Sequence, residues 1–420
     1  MNVPLSRPDI TDLEVEYVTR VLRSGQLSLG PRVAEFEEKF AAYAGARYAV
    51  AVNSGTSALH LAVRALGIGG GDEVITTSFS FVASSNCLIY EYALPVFVDI
   101  DPYTFNLDAR EILRFIQGCC ETNPKTGALI DVRTGRRVRA ILPVHVFGLP
   151  CDMDSIMKLA RKYDLQVIED ACEALGADYK GQQVGTFGDV GVFAFYPNKQ
   201  MTTGEGGMIV TNDKRIAMLC RSLRNQGRGI ERDWLRHVRL GYNYRLSDIH
   251  CALGLAQLER IEELLRGRER TASIYEQVLS GHPWIRLPQT RAECQRSWFV
   301  YPIQIGPPGG PPDSVLRDHV LAQLRARGIG CQSYFPAIHL QPYFNQEWLT
   351  LPCFLPRTEA ASKTCLVLPM FSSATREQIL YVCKVLLEIL EAQSLGPAGA
   401  APGRDRTSGH KLADAQVPAH

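Results

Sequence analysis

Along residues 30–260, short apolar runs bounded by turn-forming residues alternate with longer stretches whose apolar positions recur at helical spacing. The runs at 47–52, 73–77, 165–168, 190–196 and 208–211 read as buried strands, and 58–66 as an apolar helix. Strands that are apolar throughout, separated by helices, predict an α/β fold with a mainly parallel sheet covered by helices on both faces. Residues 118–137 read as a hairpin-like insertion, and 247–279 as one long helix, apolar at 249, 253, 256, 258, 261 and 264–265, that joins two domains. Beyond it, 297–305, 329–335 and 364–368 read as strands, 314–327 and 375–392 as helices, and 306–312 as a loop. The expected division is a large domain over 1–260, a smaller C-terminal α/β domain over 261–393, and a tail over 394–420. That tail is rich in Ala, Gly and Pro, has too little apolar surface to offset ordering entropy, and is expected to be disordered.

The chemistry concentrates at strand ends. Lys199 follows the 190–196 run and precedes the turn Gly204-Glu205-Gly206-Gly207, while Asp170 closes the run that begins at 165. A lone lysine after a strand is ordinarily a surface residue. A lysine and an aspartate at the ends of neighbouring buried strands suit pyridoxal phosphate (PLP): the amine forms a Schiff base with the aldehyde, and the carboxylate keeps the pyridine nitrogen protonated. A phosphate site fits beside them. The segment Asn53-Ser54-Gly55-Thr56-Ser57 links a strand to a helix start, where free N–H groups and the helix dipole favour an anion. Taken alone, the same residues are equally an ordinary capped turn. The cluster Gly67-Ile68-Gly69-Gly70-Gly71-Asp72 follows a helix and precedes a strand, the reverse of the dinucleotide-binding order, and reads as a helix C-cap and tight turn.

Three motifs in order carry a family resemblance: Val167-Ile168-Glu169-Asp170-Ala171-Cys172-Glu173-Ala174, Phe193-Ala194-Phe195-Tyr196-Pro197-Asn198-Lys199, and Gly204-Glu205-Gly206-Gly207. The chain resembles the DegT/DnrJ/StrS nucleotide-sugar aminotransferases, PLP enzymes of the aspartate-aminotransferase fold (fold type I), from Pro4-Leu5-Ser6-Arg7-Pro8 to about Leu390. The resemblance implies that Lys199 carries the cofactor and Asp170 pairs with its ring nitrogen. It makes Phe81 the stacking aromatic, and assigns Gly55, Thr56 and Ser57 to the phosphate turn. Asn243, in Gly241-Tyr242-Asn243-Tyr244-Arg245-Leu246, matches a residue that reaches the phosphate of the neighbouring subunit, which implies a homodimer with sites at the interface. Two positions depart from the common pattern. Ala194 stands where many members have a phosphate-contacting serine, and Glu173 stands at a cofactor-binding position where glutamine or histidine is usual. A carboxylate there is repelled by the ring phenolate unless it is protonated or turned away.

The implied activity moves an amino group from an amino acid, L-glutamate in this family, to a nucleotide-linked keto-sugar for surface polysaccharide or a glycosylated metabolite. Amination of a cyclitol ketone, or a lyase reaction, is the alternative on the same scaffold. A non-catalytic regulator is a third possibility, against which the intact Lys199, Asp170 and phosphate turn argue.

Composition narrows the remainder. With 420 residues and 46% apolar content the chain can bury a large core, and a formal charge of +1 offers no electrostatic nucleic-acid partner. Arginines at 221–239 and 266–270 are interleaved with acids and read as solvated helix faces or substrate-phosphate contacts. No run reaches the roughly 18–20 apolar residues that span a bilayer. The N-terminus has no basic segment followed by an apolar stretch, so a cytoplasmic location without a secretory signal is expected. The twelve cysteines show no C-x-x-C spacing and read as free thiols in a reducing compartment. The nine histidines lack metal spacing, so no metal site is expected; His145 and His339 come nearest to the site and read as structural.

Overall fold

The computed structural model describes residues 1–229, 236–345, 351 and 353–394. The tail expected to be disordered lies, after Ser394, outside them. A nine-stranded sheet forms the larger unit, running in the order Tyr48–Val52, Gly207–Thr211, Val190–Ala194, Gln166–Asp170, Arg137–Leu142, Asp72–Thr77 and Leu94–Val98. Only Gly207–Thr211 in that row is antiparallel to its neighbours. The continuous apolar runs follow from this placement, because helices cover both faces and leave almost every strand residue buried. The insertion is a hairpin, as expected: Cys120–Thr122 pairs antiparallel with Leu129–Asp131, which joins the sheet through Arg137.

Register brings the chemistry to one edge. Val52 pairs with Gly207, Gly207 with Ala194, and Val192 with Asp170. The anion turn, the lysine loop and the aspartate therefore leave the sheet side by side, at the ends of strands where α/β proteins place their ligands.

The second unit is a three-stranded antiparallel sheet, Ile285–Arg286, Tyr301–Ile305 and Cys365–Leu368, packed by the helices Ile261–Leu279, Ser314–Ala326 and Arg376–Ser394. Its core contains Tyr275 stacked on Tyr301 with ring centroids 4.6 Å apart, and also takes in Val3 from the chain start. Two element readings are corrected here. The helix expected over 247–279 is two, Asp248–Glu259 and Ile261–Leu279, broken at Arg260. The Arg260 guanidinium is fastened to Asp9, Glu14 and Glu263; the apolar spacing continues across the break and hides it. The segment 329–335 is not a strand, since it makes single bridges only, Ile329 to Val3 and Gln332 to Val367. The short helix Pro356–Thr364, with proline in its first turn, carries little amphipathic signal and went unread.

Candidate active site

Asp170 ends its strand with 4% of its surface exposed. Its Oδ2 accepts from Ser84 Oγ at 2.7 Å and its Oδ1 from the Cys172 N–H at 3.1 Å. Ser80 Oγ lies 2.7 Å behind Ser84, so a buried hydroxyl pair fixes the carboxylate's direction. Both Ser80 and Ser84 escaped the sequence reading, because hydroxyls on the 78–85 segment look like ordinary turn and cap residues.

The anion turn is built as read. Ser54 caps the helix Gly55–Ala65 by accepting from the Ser57 N–H at 3.0 Å, and the Ser57 hydroxyl lies 2.9 Å from Ser54 Oγ. The cap consumes the Ser57 N–H and leaves those of Gly55 and Thr56, at the positive end of the helix, for a ligand. Two glycines are required for close approach. A Cβ on Gly55 would stand 2.7 Å from Ala194 Cβ, and one on Gly207 would stand 2.5 Å from the Ser54 carbonyl oxygen. Ala194 is thus wall material for the turn. Phe81 presents 60% of its surface outward. Buried Asn53 Oδ1 and Asn198 Oδ1, flanking the turn and the lysine, have no protein donor.

Lys199 Nζ stands 3.8 Å from Glu173 Oε1 and 4.0 Å from the centroid of the Phe299 ring. Glu173 is 6% exposed and accepts from the Phe147 N–H at 2.9 Å. Burial raises its carboxyl to about 7; the Lys199 charge and the Phe147 N–H pull the other way, and the Asp170 charge adds to the rise. Burial outweighs the nearby ammonium, so near neutral pH this carboxyl is about half protonated. The departure at Glu173 is thereby reconciled with a phenolate neighbour, since a neutral carboxyl can donate where a carboxylate is repelled. Glu173 thus lies beside the lysine, three residues after the strand that Asp170 ends.

Two buried side chains missed by the sequence reading hold the lysine loop. Arg268, 3% exposed, donates to the carbonyls of Asn198, Lys199, Trp298 and Phe299. Gln200 Nε2 donates to the Glu173 and Ser297 carbonyls and to Ser297 Oγ. The solvated reading of the arginine clusters is corrected for three members. Arg268 is interior, and Arg221 and Arg224 both turn inward to Glu37 and to the Ala49 and Ala51 carbonyls. An unpaired side of a helix and an inward side bound to main-chain oxygens look alike in sequence.

Asn243 is exposed and its segment runs beside the anion turn, with the Tyr244 carbonyl accepting from the Asn53 N–H at 3.0 Å. His145 is wholly buried, its Nε2 3.1 Å from Glu169 and its Nδ1 accepting from the Cys151 N–H. His339 is bound to Ser78 at 2.6 Å. The twelve cysteines are free, and no cluster able to hold a metal occurs among the described residues. Nor is any helix among them long and apolar enough to cross a membrane.

The residues present fit PLP. An acid at the far end of the space, an amine within it, a capped turn with spare N–H groups and glycine clearance, and an outward aromatic answer to its ring nitrogen, aldehyde, phosphate and face. The comparisons agree. The sequence model of the DegT/DnrJ/EryC1/StrS aminotransferase family matches residues 8–387. The chain is 42% identical over 343 residues to GDP-perosamine synthase of Caulobacter vibrioides, covering 81% of this chain and 86% of that protein. It is 36% identical over 388 residues to GDP-perosamine synthase of Escherichia coli O157:H7, covering 92% and 98%. The structure of S. venezuelae DesV, solved in complex with a ketimine intermediate, superposes with TM-score 0.81 at 34% identity, over 92% of this chain and 98% of that one. Helicobacter pylori PseC, an aminotransferase involved in pseudoaminic acid biosynthesis, does so with TM-score 0.83 at 28% identity, over 93% and 100%.

Proposed function

Because the chain belongs to the DegT/DnrJ/EryC1/StrS aminotransferase family, we propose that it moves the amino group of L-glutamate to a nucleotide-linked keto-sugar, as a cytoplasmic homodimer. That it is a PLP-dependent sugar aminotransferase follows from the family and its relatives. The donor, the acceptor, the dimer and the residue roles are the proposal. The observation that supports it is the grouping of Lys199, Glu173 and Asp170 at the strand ends beside the capped turn at Ser54.

Bound PLP supplies an electron sink that makes the carbon next to the donor's nitrogen acidic. Lys199 Nζ would be the residue that holds the cofactor and, when free, the base that carries the proton. Asp170, aimed by Ser84 and the Cys172 N–H, keeps a ring-nitrogen proton in place. The N–H groups of Gly55 and Thr56, with the Thr56 and Ser57 side chains, hold the phosphate. Phe81 covers one ring face, and Asn243 reaches across to the neighbouring subunit's phosphate. Glu173, its carboxyl raised by burial, would hold or release a proton beside the lysine near neutral pH.

The experiment is single turnover. The enzyme is converted to its pyridoxamine form with L-glutamate, freed of donor, and offered nucleotide keto-sugars while its absorbance is followed. GDP-linked acceptors come first, because two relatives bear the name GDP-perosamine synthase. Rapid recovery of the pyridoxal spectrum with one of them supports the proposal. Recovery only with a cyclitol ketone replaces the acceptor, and a protein that L-glutamate cannot convert contradicts the donor.

A further inference from the structure

Lys199 belongs to a loop of the large sheet, yet the arginine that holds its main chain comes from the second unit. Arg268 lies on the helix Ile261–Leu279. Its Nη1 donates to the Trp298 and Phe299 carbonyls, both at 3.1 Å, and its Nη2 to the Asn198 and Lys199 carbonyls, at 3.2 and 2.6 Å. One planar fork thus joins two stretches of main chain, the lysine's own peptide and the peptide that bears the Phe299 ring on which the amine rests. Resting on the reading of Lys199 as the cofactor's attachment point, we propose that Arg268 is the positioning residue that sets where the Lys199 amine stands.

Three features carry this. First, no carboxylate pairs with Arg268 among the described residues, so the guanidinium is buried for the sake of carbonyls; burial lowers it to about 10, which leaves it charged at neutral pH. An aliphatic side chain would fill the same space without that penalty. Second, the four acceptors converge on residues 198–199 and 298–299 and nowhere else. Third, Gln200 repeats the connection one residue on, with Nε2 2.6 Å from the Glu173 carbonyl, 3.1 Å from the Ser297 carbonyl and 2.8 Å from Ser297 Oγ. The amine's two contacts, Phe299 and Glu173, are therefore each tied to the loop through a buried side chain. Lysine cannot substitute, because a compact ammonium with three donors reaches one carbonyl pair and not both.

The test uses holoenzyme of R268A and R268K, with R317K as control. Arg317 is also buried, but donates to the Cys365 carbonyl within the second unit. In R268A the expected results are a kcat lower by about 10²-fold, a donor KM little changed, and a visible circular dichroism of the bound cofactor that is reduced or inverted. Guanidinium ion, added well below unfolding concentrations, restores kcat and the dichroism; ammonium does not. R268K keeps most of the thermal stability and shows the same two losses, which preserves the test should R268A fold poorly. R317K loses Tm only. Wild-type kcat and dichroism in R268A or R268K overturn the proposal. So does a loss that follows Tm, appears equally in R317K and resists guanidinium. Turnover by Lys199→Ala would instead overturn the attachment-point reading beneath it, which separates the two failures.

Discussion

In Glu173→Gln a neutral amide replaces a carboxyl that is 6% exposed, lies 3.8 Å from Lys199 Nζ and accepts from the Phe147 N–H. The amide keeps the shape and the acceptor for Phe147, so the main thing removed is a titrating proton. In the unfolded chain this carboxyl ionises near the ordinary 4.5; in the fold, burial raises it to about 7. Between those values the folded chain holds more protons than the unfolded one, so this group makes stability fall as pH rises. Below 4.5 both states are protonated and the cost is absent, whereas above about 7 it is fully present. At about 1.36 kcal/mol per pH unit the full cost is about 3 kcal/mol. The stability of apo Glu173→Gln relative to wild type is therefore expected to rise by about 2.5 kcal/mol between about pH 5 and about pH 8, most of it before pH 7. Urea unfolding at a series of pH values, with the slope checked for constancy, measures it. A relative stability that stays flat, or that moves toward wild type as pH rises, would show that the Lys199 ammonium and not burial governs this carboxyl. The account of Glu173 as a proton-holding acid would then fail.

Lys199→Ala is expected to lose turnover and to leave no cofactor that borohydride can fix to the chain; mass spectrometry after reduction detects either. Asp170→Ala is expected to bind PLP weakly and to lose several orders of magnitude in rate, measured by cofactor titration and steady-state kinetics; near-normal turnover contradicts its role. Ser84→Ala removes the 2.7 Å donor to Asp170 and is expected to lower kcat/KM about 10- to 100-fold, the equivalent of one buried hydrogen bond to a charged group. Gly55→Ala places a Cβ 2.7 Å from that of Ala194 and is expected to cost about 1–3 kcal/mol in urea unfolding. The double variant with Ala194→Gly is expected to recover most of that loss, and no recovery would locate the strain elsewhere.

Legibility in this chain follows the range over which each residue's partners act. The sheet was readable because strands buried on both faces must be apolar throughout, and each is closed by a local turn. The positions of Lys199, Asp170 and the Ser54 cap near strand ends were readable because each follows closely on an apolar run, whatever packs around it. The break at Arg260 was not, since the apolar face passes unbroken from Asp248–Glu259 into Ile261–Leu279 while the partners of Arg260 sit far away in sequence, at Asp9 and Glu14. The segment 329–335 has a strand's composition, but its neighbours grant it single bridges only.

Arg268 shows the limit most clearly. On an amphipathic helix an arginine among acids is normally solvated, and its partners here are main-chain oxygens 30 and 69 residues away, to which any sequence could contribute. One local sign existed. Gly267 precedes it, and a Cβ there would stand 2.3 Å from the Ser372 carbonyl oxygen, so the helix is pressed against backbone on that side. A glycine inside a helix costs roughly 1 kcal/mol against alanine and is retained where close packing demands it. Arg268 is buried beside Gly267 while Arg266 and Glu269 stay exposed, and a charged side chain carried inward must find acceptors. The second unit's first long helix thus brings a glycine to the protein backbone and an arginine to the Lys199 carbonyl, and on the positioning proposed for Arg268 the place of the amine is set jointly by both units.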